Sequence, residues 1–111
     1  MSFHITIHEA EEILTQKAPL PFVKLLGHGT MSIEYYAPVG DDRQTPHKQD
    51  ELYIIARGKG IFYHDGERVP FGERDVLFVP AGMEHRFEDF AEGFATWVIF
   101  YGNEGGEDET R

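Results

Sequence analysis

Between Phe22 and Tyr101 the chain is cut into short apolar, β-branched and aromatic runs by turns rich in Gly, Pro and Asp. The runs recur at roughly ten-residue spacing, which is the pattern of an all-β sandwich or barrel. Phe22 to Leu26 is an apolar run, Gly27-His28-Gly29 reads as a turn, and Met31 to Tyr36 alternates sides, so these segments predict a hairpin. Glu51 to Arg57 and Ile61 to His64 follow, and then Asp65-Gly66, a strong signal for a tight hairpin. Glu67 to Val69, Asp75 to Val79, Glu84 to Phe90 and Phe94 to Tyr101 complete the series. No helix-length periodic segment interrupts it. The one helix expected lies before it, from about Ile7 to Lys17: Thr6 and Glu9 have the spacing of a capping box, and Ala10, Ile13 and Leu14 share a face. Ala18-Pro19-Leu20-Pro21 ends it.

With 111 residues the chain has room for one core. The expected division is a helix and lead-in over 1–21, a single barrel over 22–102 and an acidic, flexible tail over 103–111. A net charge of −10 leaves no surplus of cations for phosphates, which argues against nucleic acid or an anionic membrane as partner. The absence of cysteine removes disulfides, thiolate nucleophiles and zinc–sulfur sites, so any metal must be held by histidine and carboxylate. Without a signal-like N-terminus or a membrane-length apolar run, a cytoplasmic protein is the expectation.

Two stretches carry chemistry. In Thr45-Pro46-His47-Lys48-Gln49-Asp50-Glu51-Leu52-Tyr53-Ile54-Ile55-Ala56-Arg57-Gly58, the residues His47, Gln49, Glu51, Tyr53, Ile55 and Arg57 have one parity and are expected on one strand face. Pro80-Ala81-Gly82-Met83-Glu84-His85 closes one strand and presents His85 at the start of the next. Two imidazoles and a carboxylate meeting inside a sheet form an N and O donor set for a divalent metal, with coordination positions left open.

These residues resemble the two motifs of the cupin superfamily. His47, Glu51 and Gly58 match the first motif and Pro80, Gly82 and His85 the second, a likeness that spans Met31 to Tyr101. It implies a small single-domain, RmlC-like jelly roll, that is, a double-stranded β-helix, with His47, Glu51 and His85 binding metal. The chain departs from the family pattern at three places. Thr45 stands where the family's first histidine falls, Arg74 where the second motif opens with glycine, and Asp89 where an asparagine closes it. The resemblance makes a dioxygenase or isomerase dependent on Fe, Mn, Zn or Ni one expectation, and a non-catalytic ligand-binding or sensor module, with or without metal, the other. A structural homodimer that has lost its metal is the third.

Around the triad, Gln49 is a candidate fourth ligand or a hydrogen-bonding support, and Tyr53 a candidate substrate contact or a packed core residue. Arg57 is expected to pair with an acid, and Asp50, of opposite parity, to be a surface or loop-end charge. His28 and His64 fall at expected turns, outside the site. Trp97, Ile99 and Tyr101 alternate with Val98 and Phe100, making the last strand apolar on both faces. A second covering surface in so small a chain points to a homodimer.

Overall fold

The computed structural model describes residues 3–107. One helix, α1 (Ile7–Gln16), precedes eight strands: β1 (Phe22–His28), β2 (Met31–Tyr36), β3 (Asp50–Arg57), β4 (Gly60–His64), β5 (Glu67–Phe71), β6 (Val76–Val79), β7 (His85–Glu88) and β8 (Ala95–Tyr101). They form a five-stranded sheet in the order β1-β2-β8-β3-β6 and a three-stranded sheet in the order β5-β4-β7. Every pairing is antiparallel. This is the all-β jelly roll with one N-terminal helix.

The helix starts as its sequence dictates: Thr6 Oγ1 accepts from the Glu9 amide at 3.1 Å while Glu9 Oε1 accepts from the Thr6 amide at 3.3 Å. It closes with Lys17 as C-cap. Strand β1 runs through Gly27 and His28, which were expected in the turn, and the turn falls on Gly29 and Thr30. The Asp65-Gly66 turn has both residues at positive φ, 47° and 96°, as a tight hairpin requires.

The core lies between the sheets. Tyr36, Tyr53, Ile55 and Val98 from the larger sheet pack with Phe62, Phe71 and Phe87 from the smaller, and Val79 and Phe94 complete the cluster. A second apolar cluster forms on the outer face of the large sheet, where Ala10 of α1 packs with Val23, Tyr35 and Ala95, and Trp97 adds to it. The helix is therefore the cover over the Trp97 end of the last strand. Register explains Arg57: a bulge between Ile55 and Arg57 breaks the alternation from Glu51, so Arg57 leaves the inner face and pairs with Glu11 on the helix.

Three further expectations are corrected. His47 and Gln49 lie in the loop ahead of β3, so the strand parity that was to align them with Glu51 does not operate. Asp50 is buried at 4% exposure, its Oδ1 accepting from the Ala81 amide and its Oδ2 from the Glu107 amide, both at 2.8 Å. The start of the tail expected to fray is fastened through Glu107 by that bond and by Gly105 N–H to the Lys48 carbonyl at 2.7 Å. Residues 108–111 of the tail lie outside the described residues.

Candidate metal centre

Strand β3 supplies Glu51 and Tyr53 to the inner face, and the start of β7 supplies His85. His47 reaches the same point from the loop. What holds the loop in place is backbone: Gly82 N–H donates to the His47 carbonyl at 2.8 Å, and Asp50 fastens Ala81 beside it. The turn that delivers His85 is thereby tied to the loop that delivers His47. Gly82 sits at φ 80° with open space where a Cβ would lie, so the backbone conformation, not crowding, favours glycine there.

Glu51 Oε1 lies 2.8 Å from His47 Nδ1 and 3.1 Å from His85 Nε2. Donor atoms of the three residues lie within 4.8 Å of one another. The His85 ring is oriented from behind, because its Nδ1 is 2.8 Å from the Met83 carbonyl and must donate to it, leaving Nε2 to face Glu51. His47 rests edge-on against Phe100, with ring centroids 5.0 Å apart. Glu51 is fully buried and His85 is 3% exposed, whereas His47 is half-buried and lines an adjoining cleft.

The electrostatics follow from this enclosure. Burial raises the Glu51 pKa, but hydrogen bonds from His47 and His85 outweigh it and hold the carboxyl below its usual value. Burial works against a charged His85, yet the Glu51 carboxylate and the Met83 carbonyl hold its pKa above the ordinary imidazole value. Glu51 Oε2 is the one buried side-chain polar atom among the described residues without a hydrogen-bond partner. A buried anionic oxygen left unpaired is costly unless a cation meets it. This orphaned oxygen, two imidazoles and the lack of a competing thiolate fit a divalent first-row metal.

A chain of polar contacts surrounds the triad. Tyr53, also fully buried, has its hydroxyl 3.0 Å from His85 Nε2 and 2.9 Å from Gln44 Oε1. Gln44 Nε2 donates to Asp42 Oδ2 at 2.7 Å, and Asp42 also accepts from the Phe87 amide at 2.8 Å and from the Tyr36 hydroxyl. Gln44 and Asp42 escaped the sequence reading: they sit in a polar loop, and only the fold shows that the loop crosses to the smaller sheet. Gln49, which lines the same cleft as His47, has its amide nitrogen donating to the carbonyls of Thr30 at 2.8 Å and Gly102 at 2.9 Å. His64 ends β4 and its Nε2 is 3.0 Å from the Phe78 carbonyl.

Residues 32–100 match the family model described as a cupin domain, which covers most of the chain. The chain belongs to the cupin family. An uncharacterized protein of Streptomyces coelicolor is 32% identical over 101 residues, covering 89% of this chain and 93% of that one. A structural genomics protein of unknown function from Rhizobium leguminosarum superposes with a TM-score of 0.67 at 23% identity, covering 93% of this chain and 99% of that chain. The DMSP lyase DddQ of Ruegeria pomeroyi gives a TM-score of 0.64 at 23% identity over 74% of this cupin and 46% of its own length. These structural likenesses speak for the fold, not for a reaction.

The cleft beside His47 has a volume of about 1340 Å³. Phe22, Tyr36, Val98 and Phe100 give it apolar walls, and Glu34, Gln44 and His47 supply polar groups. Of the two readings of Tyr53, a substrate contact or a packed core residue, its full burial fits the second, and Gln44, bonded to its hydroxyl, lines the cleft.

Proposed function

We propose that this cupin holds a divalent first-row metal through His47, Glu51 and His85 at the inner end of a cleft that accepts a small molecule. The observation that carries the reading is Glu51 Oε2, buried without a partner on the carboxylate whose Oε1 meets both imidazoles. Such an ion, when bound, supplies Lewis-acid chemistry or a site for dioxygen, the basis of an isomerase or a dioxygenase. Met83 fixes the His85 tautomer, Phe100 braces His47, and the paired sheets exclude water from Glu51. The Asp42–Gln44–Tyr53 chain holds a hydroxyl against His85. The alternative, a ligand-binding or sensor cupin without turnover, is favoured by the state of Tyr53, the hydroxyl held against His85: it is buried and bonded, and its pKa is pushed up by burial.

The test is elemental analysis of untagged, chelator-free protein. About one equivalent of a first-row metal per chain is expected, lost in His85→Ala and retained in His64→Ala. Equal metal content in the parent and His85→Ala would overturn the site. Bound metal without O₂ uptake or isomerisation of small oxygenated compounds would favour the sensor reading.

We also propose a cytoplasmic homodimer. Supporting it, Ile54, Val76 and Phe78 lie exposed on the outer face of the β3 and β6 edge, at 36%, 61% and 45%, beyond the reach of the helix. A sedimentation mass equal to the monomer's 12.7 kDa at micromolar concentration would contradict this. Among the described residues no helix is long and apolar enough to cross a membrane.

A further inference from the structure

Glu34 lies on β2 in the row Ser32, Glu34, Tyr36, and all three line the cleft. Its carboxylate makes no hydrogen bond or ion pair among the described residues. The nearest strand cation acts on it electrostatically but forms no ion pair with it. Lys24 is directly opposite on β1, yet its side chain runs toward Gly27, where an added Cβ would meet Nζ at 3.2 Å. Asp41, another acid lining the cleft, is held by Arg43 at 3.1 Å. A carboxylate that is half-buried without a hydrogen-bond partner is destabilising, and the charges of His47 and Lys24 relieve it only in part.

Sheet register places this carboxylate relative to the triad. Tyr53, Val98 and Glu34 lie side by side across β3, β8 and β2, and Glu51, Phe100 and Ser32 form the adjacent row. Two strand spacings separate Tyr53 from Glu34, about 10 Å at roughly 4.8 Å each. Val98 and Phe100 form the apolar floor between. Burial, helped by the Glu51 charge, raises the Glu34 pKa, whereas His47 and Lys24 lower it only in part.

We propose that Glu34 is the recognition carboxylate of the cleft, binding a hydrogen-bond-donating head group, a protonated amine above a hydroxyl, on a small amphipathic ligand. The ligand's apolar body rests on Val98 and Phe100, and its opposite end faces His47. An anionic head at Glu34 is rejected by charge. This inference rests on the small-molecule reading of the cleft and is independent of the metal.

The probes are 2-phenylethylamine, 2-phenylethanol and phenylacetate, which share one apolar body and differ in the head. Each is titrated into the full chain at pH 7, with binding followed by heteronuclear NMR at Val98 and Phe100. The amine is expected to bind at least about tenfold tighter than phenylacetate, with the alcohol between. Glu34→Gln should collapse the three to within about twofold, and Glu34→Asp should keep their order. Phenylacetate binding as tightly as the amine in the parent, or an undiminished gap in Glu34→Gln, overturns the proposal. If all three probes shift Val98 and Phe100 equally, the cleft reading stands and the role of Glu34 falls. If none shifts them, the cleft reading itself fails and takes this inference with it.

Discussion

The Tyr53 hydroxyl stands between Gln44 Oε1 at 2.9 Å and His85 Nε2 at 3.0 Å, and it has one proton for two neighbours. Gln44 settles the choice. Its Nε2 is spent on Asp42, so its Oε1 is fixed as an acceptor and takes the Tyr53 proton. The oxygen of Tyr53 then turns a lone pair toward His85. Tyr53→Phe should leave Gln44 Oε1 without its donor and cost about 1–3 kcal/mol, with the fold intact. Urea denaturation measures the cost; a change below about 0.5 kcal/mol would show that Gln44 has another donor.

Asp42 sits at the root of the same chain. It is 9% exposed and accepts from the Tyr36 hydroxyl, the Phe87 amide, and the backbone and side-chain nitrogens of Gln44. Asp42→Ala leaves buried donors without an acceptor and should cost about 3 kcal/mol or more. Asp41→Ala, which removes only an exposed pair with Arg43, should change stability by under about 1 kcal/mol. Equal effects of the two substitutions in thermal unfolding would contradict this.

How far the sequence could be read follows from where the information is local. The capping box at Thr6, the Asp65-Gly66 turn and the alternation in Met31–Tyr36 are written in neighbouring residues, and each forms where expected. His47, Glu51 and His85 were legible because their spacing matches a family pattern, and the structure brings them together. Asp50 was misread because parity ignores partners. It points away from the triad, but toward Ala81 and Glu107, which are distant in the chain and adjacent in space. Glu34 was invisible for the same reason: its neighbours belong to three strands, and only their register shows that it faces the cleft.

Arg74 carries a cost that the sequence only hinted at. It occupies φ 74°, the left-handed region, at the place where the family's second motif opens with glycine. A side chain there costs about 1–2 kcal/mol, part of which glycine would return as extra freedom of the unfolded chain. Arg74→Gly should therefore stabilise by about 0.5–1 kcal/mol, seen as a higher denaturation midpoint at unchanged slope. A lower midpoint would mean that the Arg74 side chain makes a compensating interaction.

Glu11 sets the acid limit of helix docking. The hydrogen bond from Arg57 lowers its pKa below 4.5, burial opposes, and the Tyr35 hydroxyl adds to the lowering. A carboxyl with a depressed folded pKa stabilises above its unfolded value and loses that contribution as pH falls through the folded value. The partners are half-exposed, so solvent screening keeps the effect small. Glu11→Gln should destabilise by under about 1 kcal/mol at pH 7 and leave stability unchanged near pH 2. A difference that persists at pH 2 would assign the effect to packing, not charge.

Gln49 is the residue on which the coordination number turns. Strand parity suggested that it could join His47, Glu51 and His85, but it lies in the loop and its amide nitrogen bridges the carbonyls of Thr30 and Gly102. That nitrogen fastens the β1–β2 turn to the end of β8. Gln49→Ala should therefore leave metal content within about twofold of the parent and lower stability by about 1 kcal/mol, the scale of a lost hydrogen bond. Glu51→Gln should do the reverse at the site, removing the carboxylate charge on which a divalent cation depends, and metal should be lost. Metal lost from Gln49→Ala at unchanged stability would place the amide oxygen in the coordination sphere and close one of the positions left open for a ligand.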